Sequence, residues 1–169
     1  AAWLGVTVEE ALRARVGRPC EVLNDADAAG LAEGRFGAGI GHSGVVLMLT
    51  LGTGIGSALF IDGVLVPNTE FGHIEVRGKD GERRASAGAR ERHGWSYEKW
   101  AVRLEEYLRR IDALVWPDLM ILGGGVSRKA DRFLPLLDVR PTVVAATLQN
   151  QAGIVGAAVR AAGVEPIAR

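Results

Sequence analysis

The sequence predicts an α/β fold in which a mixed sheet carries helices on its faces, and three observations lead there. The first is a change of period at Val45. From that point VVLMLTL, IGSALFI and VLV read as three strands, and Asp62-Gly63 between the last two is a strong hairpin signal. The second is a long segment from about Ser96 to Trp116, in which Trp100, Leu104, Leu108, Ile111 and Val115 recur at helical spacing. The third is the alternation that follows: strand DLMIL, helix SRKADRFLPLL, strand TVVAA and an alanine-rich helix from about Ala152 to Ala162. The order βββ-α-β-α-β-α asks for a sheet with both antiparallel and parallel pairs.

The elements before Val45 follow from local signals. Thr7 and Glu10 fit a capping box, and Gly17 with Pro19 closes the helix between them. CEVLN, Cys20 to Asn24, reads as a short buried strand. Asp25 to Gly34 is alanine-rich and helical, with GAGIGHSG as the loop after it. Residues 77–94 are polar and carry much of the local charge.

Composition narrows the function. The 20 basic and 20 acidic side chains cancel, so no bulk field draws the chain to nucleic acid or to an acidic membrane, and neither is expected as a partner. One cysteine, Cys20, excludes an internal disulfide framework and a cysteine-rich zinc cluster, and it suits a reducing cytoplasm. No signal peptide or membrane-length apolar run is present. The chain opens AAWLG without an initiator methionine, so a fragment or a processed chain is expected.

Two glycine-rich turns point to phosphate. LTLGTGIGSALF places Gly52 and Gly54 within an apolar stretch, and LMILGGGVSRKA places Gly123, Gly124 and Gly125 between a strand and a polar segment that reads as a helix from Ser127. Bare backbone amides converge on an anion, and a helix start adds its positive end. Neither turn is a P-loop or a full dinucleotide fingerprint. Two other groups carry polar chemistry. Asn24-Asp25 lies at a strand end, where Asp25 reads either as a helix N-cap or as a carboxylate that takes a proton from a hydroxyl. Glu70 and His73 flank a glycine, an arrangement able to bracket sugar hydroxyls or to form an ordinary turn.

NDADAAGLAE, the Thr50-to-Gly56 turn, EFGHIEVRGK and WPDLMILGGGVSRKADRFLP occur in the order found in the ROK family of sugar kinases. The chain resembles that family over essentially its whole length, and most closely its actinobacterial polyphosphate/ATP-dependent glucokinase branch. The resemblance implies a ribonuclease-H-like half of the actin-like sugar kinase (ASKHA) fold. Residues 1–44 would be the tail of an N-terminal lobe carrying the Asn-Asp motif, and residues 45–169 a C-terminal lobe. The DxGGTxxK turn that opens such kinases is absent from this sequence, so the chain alone is expected to be inactive.

The implied reaction is transfer of a terminal phosphoryl group from polyphosphate or ATP to the 6-hydroxyl of glucose, with Mg²⁺ on the donor. Asp25 would be the base, and Asn24, Asp25, Glu70 and His73 would hold the sugar. Thr50, Gly52, Thr53, Gly54, Gly123, Gly124 and Gly125 would hold phosphates and nucleotide. In the wider family the matching histidine also binds structural zinc with a cysteine cluster. That cluster is missing here, so no zinc or other protein-bound metal is expected. A further sugar-binding glutamate is expected at Glu82 or Glu91, and Asp27 reads as support for the helix dipole. Arg77, Arg83, Arg84, Arg90 and Arg92 form either a solvated face or, with Arg128, Lys129 and Arg132, a track for polyphosphate. A cytoplasmic homodimer is expected. Two alternatives remain from the sequence: a sugar-sensing repressor of the same family, and an ATP-only hexokinase.

Overall fold

The computed structural model describes residues 5–163. Helices α1 (Val8–Val16) and α2 (Asp25–Phe36) precede three strands, β1 (Val45–Leu51), β2 (Ile55–Ile61) and β3 (Val64–Val66). A small hairpin follows, β4 (Glu75–Val76) and β5 (Lys79–Asp80), then two short helices, α3 (Glu82–Ala85) and α4 (Ala87–Arg92), and the long α5 (Tyr97–Val115). The chain continues through β6 (Leu119–Gly123) and β7 (Thr142–Ala145) to α6 (Ala152–Ala161).

The main sheet has the order β3-β2-β1-β6-β7. The β1–β2 and β2–β3 pairs are antiparallel, whereas β1–β6 and β6–β7 are parallel. Asp62 (φ 50°) and Gly63 (φ 79°) both take the left-handed conformation, as a two-residue hairpin that follows strand twist requires. Alternation along the central strands feeds two cores. Leu47, Leu49, Leu51, Met120 and Leu122 face Trp100, Leu104, Leu108 and Ile111 of α5. Val46, Met48, Leu119 and Ile121 face Ala29, Leu31 and Ala32 of α2 and Ala152 of α6. Coverage on both faces explains why β1 and β6 are near-continuous apolar runs.

The second layer depends on small residues. A Cβ on Gly156 of α6 would lie 1.6 Å from the Ala28 carbonyl oxygen, so the two helix backbones touch. Glu33 of α2, fully buried, then locks the layer to the loop before α6. Its carboxylate accepts hydrogen bonds from Ala38 N (2.8 Å), Thr147 N (3.1 Å), Thr147 Oγ1 (3.1 Å) and Leu148 N (2.7 Å). On the other face, Ser96 caps α5 by accepting from Lys99 N. Trp100 Nε1 donates to the Ala85 carbonyl at 2.9 Å and so binds α5 to α3. Among the described residues no helix is long and apolar enough to cross a membrane.

Three local expectations are corrected. Thr7 occupies the N-cap of α1 but makes no side-chain capping bond; Glu9 instead reaches forward to accept from Val22 N. CEVLN forms no strand and is not buried, because it finds no ladder partner among the described residues. SRKADRFLPLL is not an α-helix. Gly125–Arg132 and Leu134–Leu136 are separate 3₁₀ turns, with a non-helical Lys129 in the first and Pro135, which lacks an N–H donor, in the second.

Candidate active site

Both glycine turns lie at one edge of the sheet. Strands β1 and β6 run parallel with Thr50 opposite Gly123, so their C-terminal ends coincide. The β1–β2 hairpin closes there through Gly52, Thr53 and Gly54. Gly124 has φ 83°, and a Cβ on it would lie 2.5 Å from the Leu51 carbonyl oxygen, so the second turn abuts the first. Crevices outside the C-terminal ends of parallel strands are the usual ligand sites of such sheets. Gly52 N donates to Gly54 O, while the N–H groups of Thr53 and Gly54 have no protein acceptor among the described residues. At the second turn, Ser127 donates from both its N and its Oγ to the Gly124 carbonyl. The helical element begins at Gly125 as a short 3₁₀ turn, not at Ser127, so backbone amides contribute more here than a helix dipole does.

The N-terminus of α2 is pressed against the same edge. A Cβ on Gly56 would lie 2.6 Å from Thr50 Oγ1 and 2.9 Å from Ala26 Cβ, so only glycine admits the helix this close to β2. Asn24, not Asp25, is the N-cap: its Oδ1 accepts from Ala26 N (2.8 Å) and Asp27 N (3.3 Å). Its amide NH₂ has no acceptor among the described residues. Asp25, the first helical residue, is exposed and has no side-chain partner among the described residues. The cap reading of Asp25 is therefore set aside, and its carboxylate is free for chemistry.

Asp27 lies in the first turn of α2, as expected, but is buried. It is 2% exposed, accepts from Asn68 N at 2.9 Å through Oδ2, and leaves Oδ1 buried without a partner. Burial pushes its carboxyl above the ordinary value; the Asn68 N–H opposes this, while the charges of Glu70 and Asp25 add to it. The Asn68 bond brings the Glu70 loop to α2. Ser57 Oγ donates to Thr69 O (2.7 Å) and accepts from Phe71 N (3.1 Å), and Tyr107 OH donates to Phe71 O (3.1 Å). A Cβ on Gly72 would lie 2.3 Å from the Ile55 carbonyl oxygen, so the EFGH turn lies tightly on β2. Glu70 and His73 stand exposed on a loop pinned from three elements.

Of the two candidate glutamates, Glu82 lies against the first glycine turn. Its Oε2 accepts from Ile55 N at 3.3 Å and lies 2.4 Å from where a Gly54 Cβ would be. His73, Asp80 and Glu82 each bring a ligand atom within 4.8 Å of the others, and His73 Nδ1 is 3.8 Å from Asp80 Oδ2. This is a nitrogen and oxygen donor set, without the thiolates of a structural zinc cluster. Glu91 is exposed on α4 and faces Arg90.

The arginines sort in the same way. Arg77 and Arg84 both bind Glu106, the latter at 2.7 Å. Arg90 donates to the Trp95 carbonyl and stacks on the Tyr97 ring, and Arg132 lies 5.6 Å from the same ring. Arg83 reaches Asp80 only at 4.0 Å, and Arg92 forms no ion pair among the described residues. Arg128 and Lys129 are exposed beyond the second turn.

A family model described as the ROK family matches residues 1–94. A polyphosphate glucokinase of Mycobacterium tuberculosis strain H37Rv is 54% identical over 157 residues, covering 92% of this chain and 59% of that protein. The chain thus spans 59% of the length of this curated relative. Among solved structures, an inorganic polyphosphate/ATP-glucomannokinase from Arthrobacter sp. strain KM is 55% identical with a TM-score of 0.90, over 95% of this chain and 64% of that one. A ROK family glucokinase from Streptomyces griseus, in complex with glucose and AMPPNP, is 27% identical with a TM-score of 0.71, over 89% of this chain and 70% of that one.

Proposed function

Because the chain belongs to the ROK family, we propose that it carries the sugar-binding and phosphate-binding edge of a glucokinase. The enzyme would move a terminal phosphoryl group from polyphosphate or ATP to the 6-hydroxyl of glucose. The observation that carries this reading is the unpartnered carboxylate of Asp25 on a helix docked beside two abutting glycine turns.

In the proposed reaction Asp25 accepts the proton of the 6-hydroxyl as its oxygen attacks the terminal phosphorus. The bond from phosphorus to the bridging oxygen breaks, and the donor leaves as ADP or as a polyphosphate shorter by one unit. The free N–H groups of Thr53 and Gly54 are suited to the charge that develops on the phosphate oxygens. Asn24 would donate its amide to a sugar hydroxyl, and Glu70, His73 and Glu82 would hold the remaining hydroxyls. The Gly123–Gly125 turn would lie against adenosine and the inner phosphates. Mg²⁺ on the donor would neutralise phosphate charge, and the exposed hydroxyl of Thr53 is the oxygen donor at the turn that fits it. Within this reading residues 1–44 end a first lobe, with α2 docked on the second, residues 45–169. A cytoplasmic homodimer with no nucleic-acid or membrane partner belongs to the same proposal.

The test is Asp25→Asn in the full-length protein that carries this chain. The expected result is a fall in kcat of at least ~10²-fold, the scale of losing a general base, with little change in glucose affinity. Near-normal turnover removes Asp25 from the chemistry. The reading also includes no structural zinc, since Cys20 is the single thiol. Elemental analysis of chelator-free protein is expected to find none in stoichiometric amount. Stoichiometric zinc would mean that His73, Asp80 and Glu82 bind metal.

A further inference from the structure

The basic segment contains an open groove of about 750 Å³, lined by Gly78, Lys79, Asp80, Arg83, Arg92 and His93. Its cations are the ones that the fold leaves unused. Arg77, Arg84 and Arg90 are committed to Glu106, Trp95 and Tyr97, and none of them lines the groove. Lys79 and Arg92 have no ion-pair partner among the described residues, and Arg83 has only the distant Asp80. The Asp80 carboxylate is the one negative group in the lining, so the groove is net positive in a chain whose total charge is zero.

Helix α4, which supplies Arg92 to the groove, is fastened to the first glycine turn. Gly88 N donates to the Gly52 carbonyl at 2.8 Å, which docks α4 directly on that turn. A Cβ on Gly88 would lie 2.7 Å from Thr53 O, 3.0 Å from Thr53 Cα and 3.1 Å from Arg92 Nη1. Arg92 therefore stands beside the turn that carries the free amides, and Arg83 and Lys79 line the same groove. A solvated basic face need be neither concave nor carried by a helix fastened to a glycine turn.

We propose that this groove is the track for a linear inorganic polyphosphate whose terminal phosphate lies at the Gly52–Gly54 turn. Arg92 takes the phosphates next to the turn, and Arg83 and Lys79 take those further along the chain. The assignment rests on the glucokinase reading with polyphosphate as a donor. A guanidinium matches phosphate oxygens with two parallel donors, so Arg92 and Arg83 give the tighter contacts and Lys79 a point charge. ATP, with only a triphosphate, ends before the outer cations.

The experiment measures kcat and KM for long-chain polyphosphate and for ATP in the full-length protein. It compares wild type, Arg92→Gln, the double variant Lys79→Gln/Arg83→Gln, and Arg128→Gln/Lys129→Gln beyond the other turn. The double variant is expected to raise KM for polyphosphate by roughly tenfold or more, from the lost charge-assisted bonds, and KM for ATP by much less. Arg92→Gln is expected to raise both. Retained turnover with ATP shows that each variant is folded. Wild-type protein that uses polyphosphate, with KM unchanged in both groove variants, overturns the track and leaves the donor reading standing. A rise confined to Arg128→Gln/Lys129→Gln does the same and moves the track to the second turn. Wild-type protein that uses ATP and refuses polyphosphate overturns the donor reading itself.

Discussion

At the scale of single residues, Asp25 and Asp27 are chemically identical and separated by one alanine, yet their surroundings divide them. Among the described residues Asp25 is exposed and unpartnered, whereas Asp27 lies under the Asn68–Glu70 loop with one oxygen unpaired. The sequence placed both in the first turn of a helix, which is correct. It did not reveal that Asp27 is buried, because the loop that covers it returns from 41 residues away. It also offered Asp25 as the cap where the structure uses Asn24, since both side chain types serve well there. The raised Asp27 carboxyl has a consequence for stability. Its stabilising contribution is fully present below the unfolded value of about 3.8 and is lost as pH rises through the higher folded value. Asp27→Asn keeps an acceptor for Asn68 N and removes the buried charge. Urea unfolding across acid to neutral pH is expected to show the variant gaining on wild type as pH rises through that window. A stability difference that stays flat with pH would show that Asp27 is not held above its ordinary range.

At the scale of elements, local signals worked where the physics is local. The Asp62-Gly63 hairpin, the Gly17 cap of α1 and the apolar stripe of α5 all stand where the sequence placed them. Failures came where a partner was needed or a breaker was underweighted. CEVLN reads as a strand by composition but has no ladder partner among the described residues, and Pro135 and Lys129 break the segment after the triple glycine into 3₁₀ turns. The triple glycine itself was legible as a turn. Its deeper reason, backbone contact with Leu51, appears only once β1 and β6 are side by side. Gly124→Ala must place a Cβ 2.5 Å from that carbonyl oxygen while holding φ at 83°. The expected cost is about 1–3 kcal/mol from overpacking, with added backbone strain. KM for ATP is expected to rise more than KM for glucose, measured in the full-length protein. An equal rise in both would detach this turn from the donor.

At the scale of the molecule, the fold class was readable because alternation along β1 and β6 assigns each side chain to one of two cores. Odd-numbered leucines of β1 meet α5, and Val46 and Met48 meet α2 and α6. The candidate site was legible as a set of motifs, and the fold brings the two glycine turns and the start of α2 together at the C-terminal ends of β1 and β6. Which of Glu82 and Glu91 lies by the Gly52–Gly54 turn depends on how the hairpin β4–β5 and α3–α4 are placed, which no local signal in the sequence shows. The central claim is that this edge, in the complete protein, passes a phosphoryl group to glucose. The most direct measurement is glucose 6-phosphate formation by the full-length protein with Mg²⁺, glucose and polyphosphate as the sole donor, with ATP run in parallel. Product from polyphosphate without nucleotide, at a rate at least comparable to that with ATP, is the expected result. Glucose binding with no product from either donor would contradict the account and leave a sugar sensor in place of an enzyme.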